Sequence, residues 1–211
     1  MIVVSVVNLK GGSAKTTTCA FIAHAFAEAG LTVLAVDADG ENESLAAWQA
    51  EADWDIPVVG MAVPNLHRQL PGVVGDRYDA VVIDTPPMRE HRGIVVSAMR
   101  VATHVVLPMA PTPMEYQRLP AVRALMDEVT ELRPDGKPPI LAVILTRCPP
   151  RPAASPGAFR DLIDGDGWHV LNAQVGRNER FAQAHGDKIK NASRTPYGDA
   201  VAELLDMEVT V

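Results

Sequence analysis

Two lysines, Lys10 and Lys15, frame a glycine-rich turn within the stretch NLKGGSAKTTT at residues 8–18. The turn follows an apolar run and precedes a segment with helical periodicity, so its backbone N–H groups and the positive end of the helix would converge on one point. Phosphate suits such a turn. Lys15 would then neutralise β- and γ-phosphate oxygens, and the Thr16 hydroxyl would bind Mg²⁺. The residue types and their spacing therefore predict a site for a nucleotide.

Acidic side chains follow two further apolar runs. Asp37 ends LTVLAVD, Asp39 follows it by two residues, and Asp84 ends YDAVVID. In open parallel sheets ligands bind beyond the carboxyl ends of the strands, so these carboxylates would lie near the glycine-rich turn. A carboxylate at such a position can hold Mg²⁺ directly or through water, and Thr16, Asp37 and Asp84 are the predicted metal ligands. The alternative for the Asp37–Asp39 pair is an N-cap for the next helix.

The segments around these residues alternate between β-branched runs and stretches with helical periodicity. Such alternation is typical of βαβ units and of a buried, mostly parallel sheet. Strands are predicted at residues 2–7, 31–37, 56–62, 78–85, 103–109, 138–146 and 168–175. Helices are predicted at residues 16–29, 43–51, 65–74, 93–102, 116–133, 156–163, 178–185 and 196–205. The predicted fold class is α/β: a single domain over residues 1–211, with a mostly parallel twisted sheet and helices on both faces.

Composition limits the functions open to this chain of 211 residues. Its hydrophobic content of 47% is enough for one substantial core. Its formal net charge of −7 opposes general attraction to nucleic acid or anionic membrane, so binding to either needs a local basic surface. Cys19 and Cys148 lack the spacing of a metal clip or a disulfide framework. The apolar runs are strand-sized and no signal peptide is visible, so we expect a cytoplasmic protein.

A local basic surface is predicted at residues 177–194, with the sequence RNERFAQAHGDKIKNASR. Its five cations against two acids give a net charge of +3, in a chain whose net charge is −7. We call these cations the basic cluster: Arg177, Arg180, Lys188, Lys190 and Arg194. The alternative is a solvated helix and loop with some charge bias.

The motif KGGSAKTT resembles the deviant Walker A motif, KGGxGK[ST], of the ParA/MinD family of ATPases. In that family the early lysine reaches the phosphates of the nucleotide held by a partner subunit, so the resemblance assigns this role to Lys10. The implied nucleotide contacts are Lys10, Gly11, Gly12, Ser13, Ala14, Lys15, Thr16 and Thr17. Ala14 departs from the family pattern, which has glycine there. If φ is positive at Ala14, its side chain costs roughly 1 kcal/mol and crowds the phosphate.

The segment VDADGE is similar to the family's switch I, D-x-D-P-Q. The resemblance makes Asp39 the residue that orients the attacking water, and it thereby adds Asp39 to Lys10 and Lys15 as the predicted catalytic residues. Gly40 and Glu41 replace the usual proline and glutamine, which changes the local rigidity and one polar contact.

Three more segments extend the resemblance over most of the chain. DTPP at residues 84–87 resembles switch II, and residues 107–122 are similar to the Pro-rich loop and helix at the family's dimer face. VILTRC resembles the strand that ends beside adenine, so Thr146 and Arg147 are predicted to contact the base; a solvated arginine is the alternative. The predicted nucleotide loops are 8–18, 37–43 and 84–92.

The resemblance is to the short partition ATPases, which lack an N-terminal helix-turn-helix domain. It implies ATP and Mg²⁺ as cofactors, a homodimer formed with ATP, nonspecific DNA contacts from residues 177–194 and a separate ParB-like centromere-binding partner. Such a protein would be cytoplasmic and nucleoid-associated when ATP-bound, without a membrane partner, because the acidic C-terminal segment lacks the basic amphipathic helix of MinD-like members. The alternatives are a P-loop biosynthetic enzyme of the amidotransferase or dethiobiotin synthetase type, a positioning ATPase for protein cargo, and a regulator that no longer hydrolyses ATP.

Overall fold

Seven parallel strands form one sheet in the computed structural model, which describes residues 1–42, 44–150 and 156–207. The strands are β1 (Ile2–Val6), β2 (Val33–Asp37), β3 (Val58–Gly60), β4 (Ala80–Asp84), β5 (His104–Met109), β6 (Ile140–Cys148) and β7 (Val170–Gly176). Their order across the sheet is β3-β2-β4-β1-β5-β6-β7. All seven predicted strands are confirmed. Parallel strands that are covered on both faces are apolar at almost every position, so short apolar runs located them in the sequence.

Nine α-helices connect or flank these strands in the described part of the chain. They are α1 (Lys15–Glu28), α2 (Ser44–Ala52), α3 (Leu66–Val74), α4 (Met88–Val101), α5 (Pro113–Tyr116), α6 (Leu119–Leu132), α7 (Pro156–Gly165), α8 (Glu179–Ala182) and α9 (Pro196–Asp206). None of the helices described is long and apolar enough to cross a membrane.

Three of the helix predictions differ from the structure. The helix predicted at 93–102 begins earlier, at Met88, and His91 interrupts it with φ −130° and ψ 47°. The helix predicted at 116–133 is two helices, α5 and α6, because Thr112 caps a separate first turn. The helix predicted at 178–185 is the single turn α8.

The sheet buries both of its faces. Val4 and Val6 of β1 pack on one face with α1, α2 and α9. Val3 and the alternate positions of the neighbouring strands pack on the other face with α3, α4 and α6. Helices on both faces of a parallel sheet confirm the predicted fold class. Residue 43, which belongs to the predicted loop 37–43 and helix 43–51, lies outside the described residues, as do residues 151–155 and 208–211; the extent of the domain stays a prediction.

The strand register places the predicted site residues at one edge of the sheet. β4 lies between β1 and β2, with Val6 beside Asp84 and Asp37 also beside Asp84. The glycine-rich loop after β1 therefore begins next to both carboxylates, as the parallel topology predicts.

Candidate nucleotide-binding site

The glycine-rich loop between β1 and α1 turns on two residues with a left-handed backbone. Gly12 has φ 65°, and Ala14, at the N-cap of α1, has φ 67° and ψ 26°. The N–H of Thr18 donates to the Ala14 carbonyl at 2.9 Å, so the helix begins directly after the turn. The condition for strain at Ala14 is therefore met, at a cost of roughly 1 kcal/mol relative to glycine.

Two side chains of the loop converge on the carbonyl of Lys10. Lys15 Nζ donates to it at 3.2 Å, and Ser13 Oγ also donates to it at 3.2 Å. Lys15 is only 7% exposed. Burial lowers the pKa of Lys15, while the charges of Asp84 and Asp39 raise it. A buried ammonium beside converging backbone N–H groups is suited to bind the terminal phosphates of a nucleotide.

The remaining loop residues lie around this centre. Gly11 and Gly12 are exposed, and a Cβ on Gly11 would lie 3.9 Å from Cγ of Pro87 in the loop after β4. Thr16 and Thr17 are half-buried in the first turn of α1. The loop after β1 and the loop after β4 thus lie side by side, and the contacts of these residues with a nucleotide stay predictions.

Asp84 is a buried carboxylate at the end of β4. It is 1% exposed, and neither of its oxygens has a hydrogen-bond partner among the described residues. Burial raises its pKa to about 7; the Thr16 hydroxyl and the Lys15 charge oppose the rise, and Asp37 and Asp39 add to it. An unsatisfied buried carboxylate beside a threonine hydroxyl fits a divalent cation, for which oxygen is the preferred ligand.

Asp37 caps a helix instead of pointing free into the site. Its Oδ2 accepts from the N–H groups of Leu45 and Ala46, at 3.0 Å each, and its Oδ1 accepts from the Asp39 N–H at 3.1 Å. Burial raises the pKa of Asp37, and these three backbone hydrogen bonds oppose the rise. Asp37 therefore caps the first turn of α2, although it lies several residues before the helix in the sequence. Metal binding by Asp37 stays a prediction.

Asp39 keeps one carboxylate oxygen without a partner in the described part of the chain. Its Oδ2 accepts from Asn42 Nδ2 at 3.0 Å, whereas its buried Oδ1 accepts no hydrogen bond. Asn42 thus orients the carboxylate. The neighbouring Gly40 is required by packing, because a Cβ there would lie 2.7 Å from Cβ of Ala62. A Cβ at residue 40, as in proline, would therefore clash with Ala62.

Glu41 joins the loop after β2 to helix α4. Its Oε1 lies 3.1 Å from Nε2 of His91, the residue that interrupts α4. Glu90 has a carboxylate oxygen within 4.8 Å of both groups. The residue that replaces the usual glutamine therefore connects the segments that resemble switch I and switch II.

Lys10 extends towards the segment after β5. Its Nζ lies 2.6 Å from Oε1 of Glu115, in the short helix α5, and the Lys10 side chain is 35% exposed. Glu115 is not among the predicted site residues. The acid in the sequence TPME at residues 112–115 was the one available signal, and it did not indicate a partner.

Thr146 and Arg147 lie at the end of β6. Thr146 is buried, and its Oγ1 has no hydrogen-bond partner within the described ranges. Arg147 has a left-handed φ of 52°, and its Nη1 donates to the Gly12 carbonyl at 2.7 Å. Arg147 is exposed, as the solvated alternative predicts, and its guanidinium also contacts the glycine-rich loop. A contact with the base stays a prediction for both residues.

The basic cluster begins where β7 ends, at the same edge of the sheet as the loops. Arg180 Nη2 donates to the Lys190 carbonyl at 3.1 Å, and Lys188 Nζ lies 3.6 Å from Oδ2 of Asp53. All five cations are exposed, and their binding to DNA stays a prediction.

Helix α2 anchors this segment. The buried indole of Trp48 donates from Nε1 to the carbonyl of Asp187 at 2.9 Å. Its ring centroid lies 5.3 Å from that of His185. The helix that Asp37 caps thus packs directly against the segment that carries the basic cluster.

One protein family matches most of this chain. Residues 4–190 match the family described as the CobQ/CobB/MinD/ParA nucleotide binding domain. The chain belongs to this family. The matched residues include the glycine-rich loop, both carboxylate loops and most of the basic cluster. The resemblance drawn from the loop sequence is thereby confirmed at the level of the family.

Two named proteins are similar in sequence to this chain. The maintenance of carboxysome distribution protein A of Gloeobacter kilaueensis is 36% identical over 154 residues, which cover 71% of this chain and 64% of that protein. The match thus spans less than two thirds of that relative. The chromosome-partitioning ATPase Soj of Thermus thermophilus is 26% identical over 212 residues, covering 86% of this chain and 83% of that protein.

Solved structures show the same fold. The McdA(D38A)–ATP complex of Cyanothece matches with a TM-score of 0.72 and 17% identity, over 100% of this chain and 98% of that one. The cobyrinic acid a,c-diamide synthase of Mycobacterium smegmatis, bound to an ATP analog and magnesium, matches with a TM-score of 0.72 and 24% identity. That match covers 97% of this chain and 94% of the synthase chain.

Proposed function

We propose that this chain is an ATP-hydrolysing switch that dimerises with Mg-ATP, binds DNA without sequence preference in that state, and partitions a plasmid or a chromosome. One observation carries the proposal: the buried Lys15 and the buried Asp84 lie beside one glycine-rich loop, and Lys10 of the same loop is 35% exposed in its ion pair with Glu115. Relatives that partition chromosomes or carboxysomes, and solved structures with ATP or magnesium, support it.

Each loop residue has a separate task in this mechanism. Lys15 binds the β- and γ-phosphates of the nucleotide in its own subunit, and the N–H groups of residues 11–16 surround them. Thr16 and Asp84 would hold Mg²⁺, which neutralises charge on the phosphates when bound. Asp39, steered by Asn42, accepts a hydrogen bond from the attacking water through its free Oδ1.

Charge explains why the nucleotide controls dimer formation. Two chains with a net charge of −7 each repel one another, and each nucleotide adds negative charge between them. Lys10 from one subunit and Lys15 from the other therefore have to bind the same phosphates for the faces to meet. Hydrolysis removes the γ-phosphate from between the two lysines, and the dimer separates. The basic cluster doubles on dimerisation, so the ATP form binds DNA more strongly and becomes nucleoid-associated.

A second candidate function is the positioning of a protein cargo on DNA. It is favoured by the 36% identity with a protein named for carboxysome distribution. Both candidates use the same ATP-dependent dimer and the same DNA surface, and they differ in the partner that stimulates hydrolysis. A ParB-like centromere-binding protein is the partner that the first candidate requires.

The biosynthetic alternative predicts a different response to DNA. Its fold is shared, as the cobyrinic acid a,c-diamide synthase structure shows. An amidotransferase or dethiobiotin synthetase would hydrolyse ATP when its small-molecule substrate binds, and duplex DNA would not change its rate.

Sedimentation with and without Mg-ATP, combined with hydrolysis rates with and without duplex DNA, tests the proposal. We expect an ATP-dependent dimer, slow turnover, and DNA retention only with ATP. Lys10→Ala should abolish the dimer or turnover while ATP still binds, and Lys15→Ala should weaken ATP binding itself. A parent protein that remains monomeric with Mg-ATP, or a Lys10→Ala variant that dimerises and hydrolyses normally, would contradict the proposed switch.

A further inference from the structure

The carboxylate of Glu115 forms an ion pair with Lys10 of the same subunit. Lys10 Nζ lies 2.6 Å from Glu115 Oε1, and the Glu115 side chain is only 4% exposed. The same oxygen lies 3.2 Å from Nη1 of Arg118. A single buried carboxylate therefore has two cations on one of its oxygens.

Arg118 can serve as the counter-ion of Glu115 when Lys10 moves away. A buried carboxylate that loses its only counter-ion is strongly destabilised, so an unshared Lys10–Glu115 pair would resist separation. Arg118 precedes α6 and comes from the same chain segment as Glu115, so it stays in place when Lys10 leaves. Glu115 is then still compensated, and the separation costs far less.

We propose that Glu115 and Arg118 form a latch that holds Lys10 in its own subunit until a second copy of this chain presents its nucleotide. This inference rests on the proposed role of Lys10 in the dimer. Glu115 is a positioning residue, because it acts through Lys10 and does not touch the reacting atoms. Arg118 sets the strength of the latch.

The expected size of the effect follows from the population of the unlatched form. If about one subunit in ten has a free Lys10, the apparent affinity of each subunit for the dimer falls about tenfold. Both subunits release a lysine, so the two factors multiply. Removing the latch should therefore tighten the dimer by up to about a hundredfold.

Two substitutions should change dimer formation in opposite directions. Glu115→Gln weakens the hold on Lys10, so the Mg-ATP dimer should form at a concentration lower by about tenfold to a hundredfold. Arg118→Ala leaves Lys10 as the only counter-ion of Glu115, so the dimer should form at a higher concentration. Sedimentation over a range of protein concentrations with Mg-ATP measures both changes.

The matched control is Glu128→Gln. Glu128 is an acid of α6 that pairs with Arg92 and not with Lys10. Its substitution removes the same negative charge from each subunit, so it reports the effect of lower repulsion alone. A tighter dimer for Glu115→Gln than for Glu128→Gln, with a weaker one for Arg118→Ala, supports the latch. Equal effects of the two glutamine variants, or weaker dimers for both Glu115→Gln and Arg118→Ala, would overturn it.

The latch can also be measured without a dimer. Acetic anhydride labelling of the nucleotide-free protein, read by mass spectrometry, reports the exposure of the Lys10 amine. We expect faster labelling of Lys10 in Glu115→Gln, slower labelling in Arg118→Ala and no change in Glu128→Gln. Unchanged Lys10 labelling in Glu115→Gln would show that the ion pair is absent in solution, and it would overturn the latch even if the parent dimerises. If the variants differ in Lys10 labelling as expected but the parent never dimerises, the proposed function is contradicted. The ion pair then exists, but it has no dimer to control.

Discussion

The unpartnered carboxylate of Asp84 makes the stability of the nucleotide-free protein depend on pH. Burial raises its pKa from the ordinary 3.8 to about 7, so the folded chain keeps a proton that the unfolded chain releases near pH 4. One pKa unit corresponds to about 1.4 kcal/mol, so the shift corresponds to about 4 kcal/mol. This contribution to the free energy of unfolding is fully present below about pH 4, and it is lost as the pH rises to about 7.

Asp84→Asn removes this titration. Near pH 4 the variant and the parent should be about equally stable, because both side chains are then neutral in the folded state. At pH 8 the variant should be the more stable by about 2–4 kcal/mol, since no charge has to remain buried. Mg-ATP should reverse the order, because it stabilises only a protein that can bind it. Urea denaturation at several pH values, with and without Mg-ATP, measures these differences.

Asp79→Asn is the control for the Asp84 measurement. Asp79 is an exposed acid whose pKa is lowered by the hydrogen bond that its carboxylate accepts from the Thr32 N–H. Its stabilising effect is present above the ordinary pKa and is lost at lower pH, so Asp79→Asn should destabilise the protein at pH 8. A stability difference between Asp84→Asn and the parent that stays constant from pH 4 to pH 8 would refute the argument from burial.

Four further substitutions test the loops and the basic cluster. Ala14→Gly should change stability by less than about 1 kcal/mol, because the relieved left-handed strain is offset by greater freedom of the unfolded chain, yet it should tighten ATP binding by up to about tenfold; equal affinity by calorimetry would mean that the loop has adapted to alanine. Asp39→Ala should keep the ATP dimer and slow hydrolysis by roughly a hundredfold or more, so a parent-like rate would exclude the water-orienting role. Arg177→Ala and Arg194→Ala should each remove two phosphate contacts per dimer, which would reduce the salt slope of DNA binding by about 1.8. Arg77 lies outside residues 177–194, so Arg77→Ala should leave the salt slope unchanged. If both Arg177→Ala and Arg194→Ala keep the salt slope of the parent, the basic cluster has no role in DNA binding.

The strands, and the strand ends that carry the site residues, were predictable because the sequence pattern that marks them is local. Each strand is a short apolar run; Asp37 and Asp84 end two of these runs, and Asp39 lies two residues after Asp37. The parallel topology then brings the strand ends to one edge of the sheet without further information. The glycine-rich loop after β1 was predictable for the same reason.

The partners of individual side chains were not predictable, because they depend on contacts between segments far apart in the sequence. Glu115 pairs with Lys10 only because β5 lies beside β1. Gly40 is fixed by its distance to Ala62, a residue after β3. Asp37 had two interpretations in the sequence, and only the position of the first turn of α2 shows that capping applies.

The contact between Trp48 and the Asp187 carbonyl gives the protein an intrinsic optical reporter. The indole is 1% exposed and hydrogen-bonded to the segment that carries the basic cluster, on a helix whose N-terminus is capped from the site. If that segment separates from α2, the indole meets water, and its fluorescence emission shifts to longer wavelength. Trp54, whose ring lies 5.2 Å from that of Trp48, and Trp168, the third tryptophan of the chain, can both be replaced by phenylalanine to isolate the signal. The docking of the segment that carries the basic cluster can thus be followed in real time in the unlabelled protein.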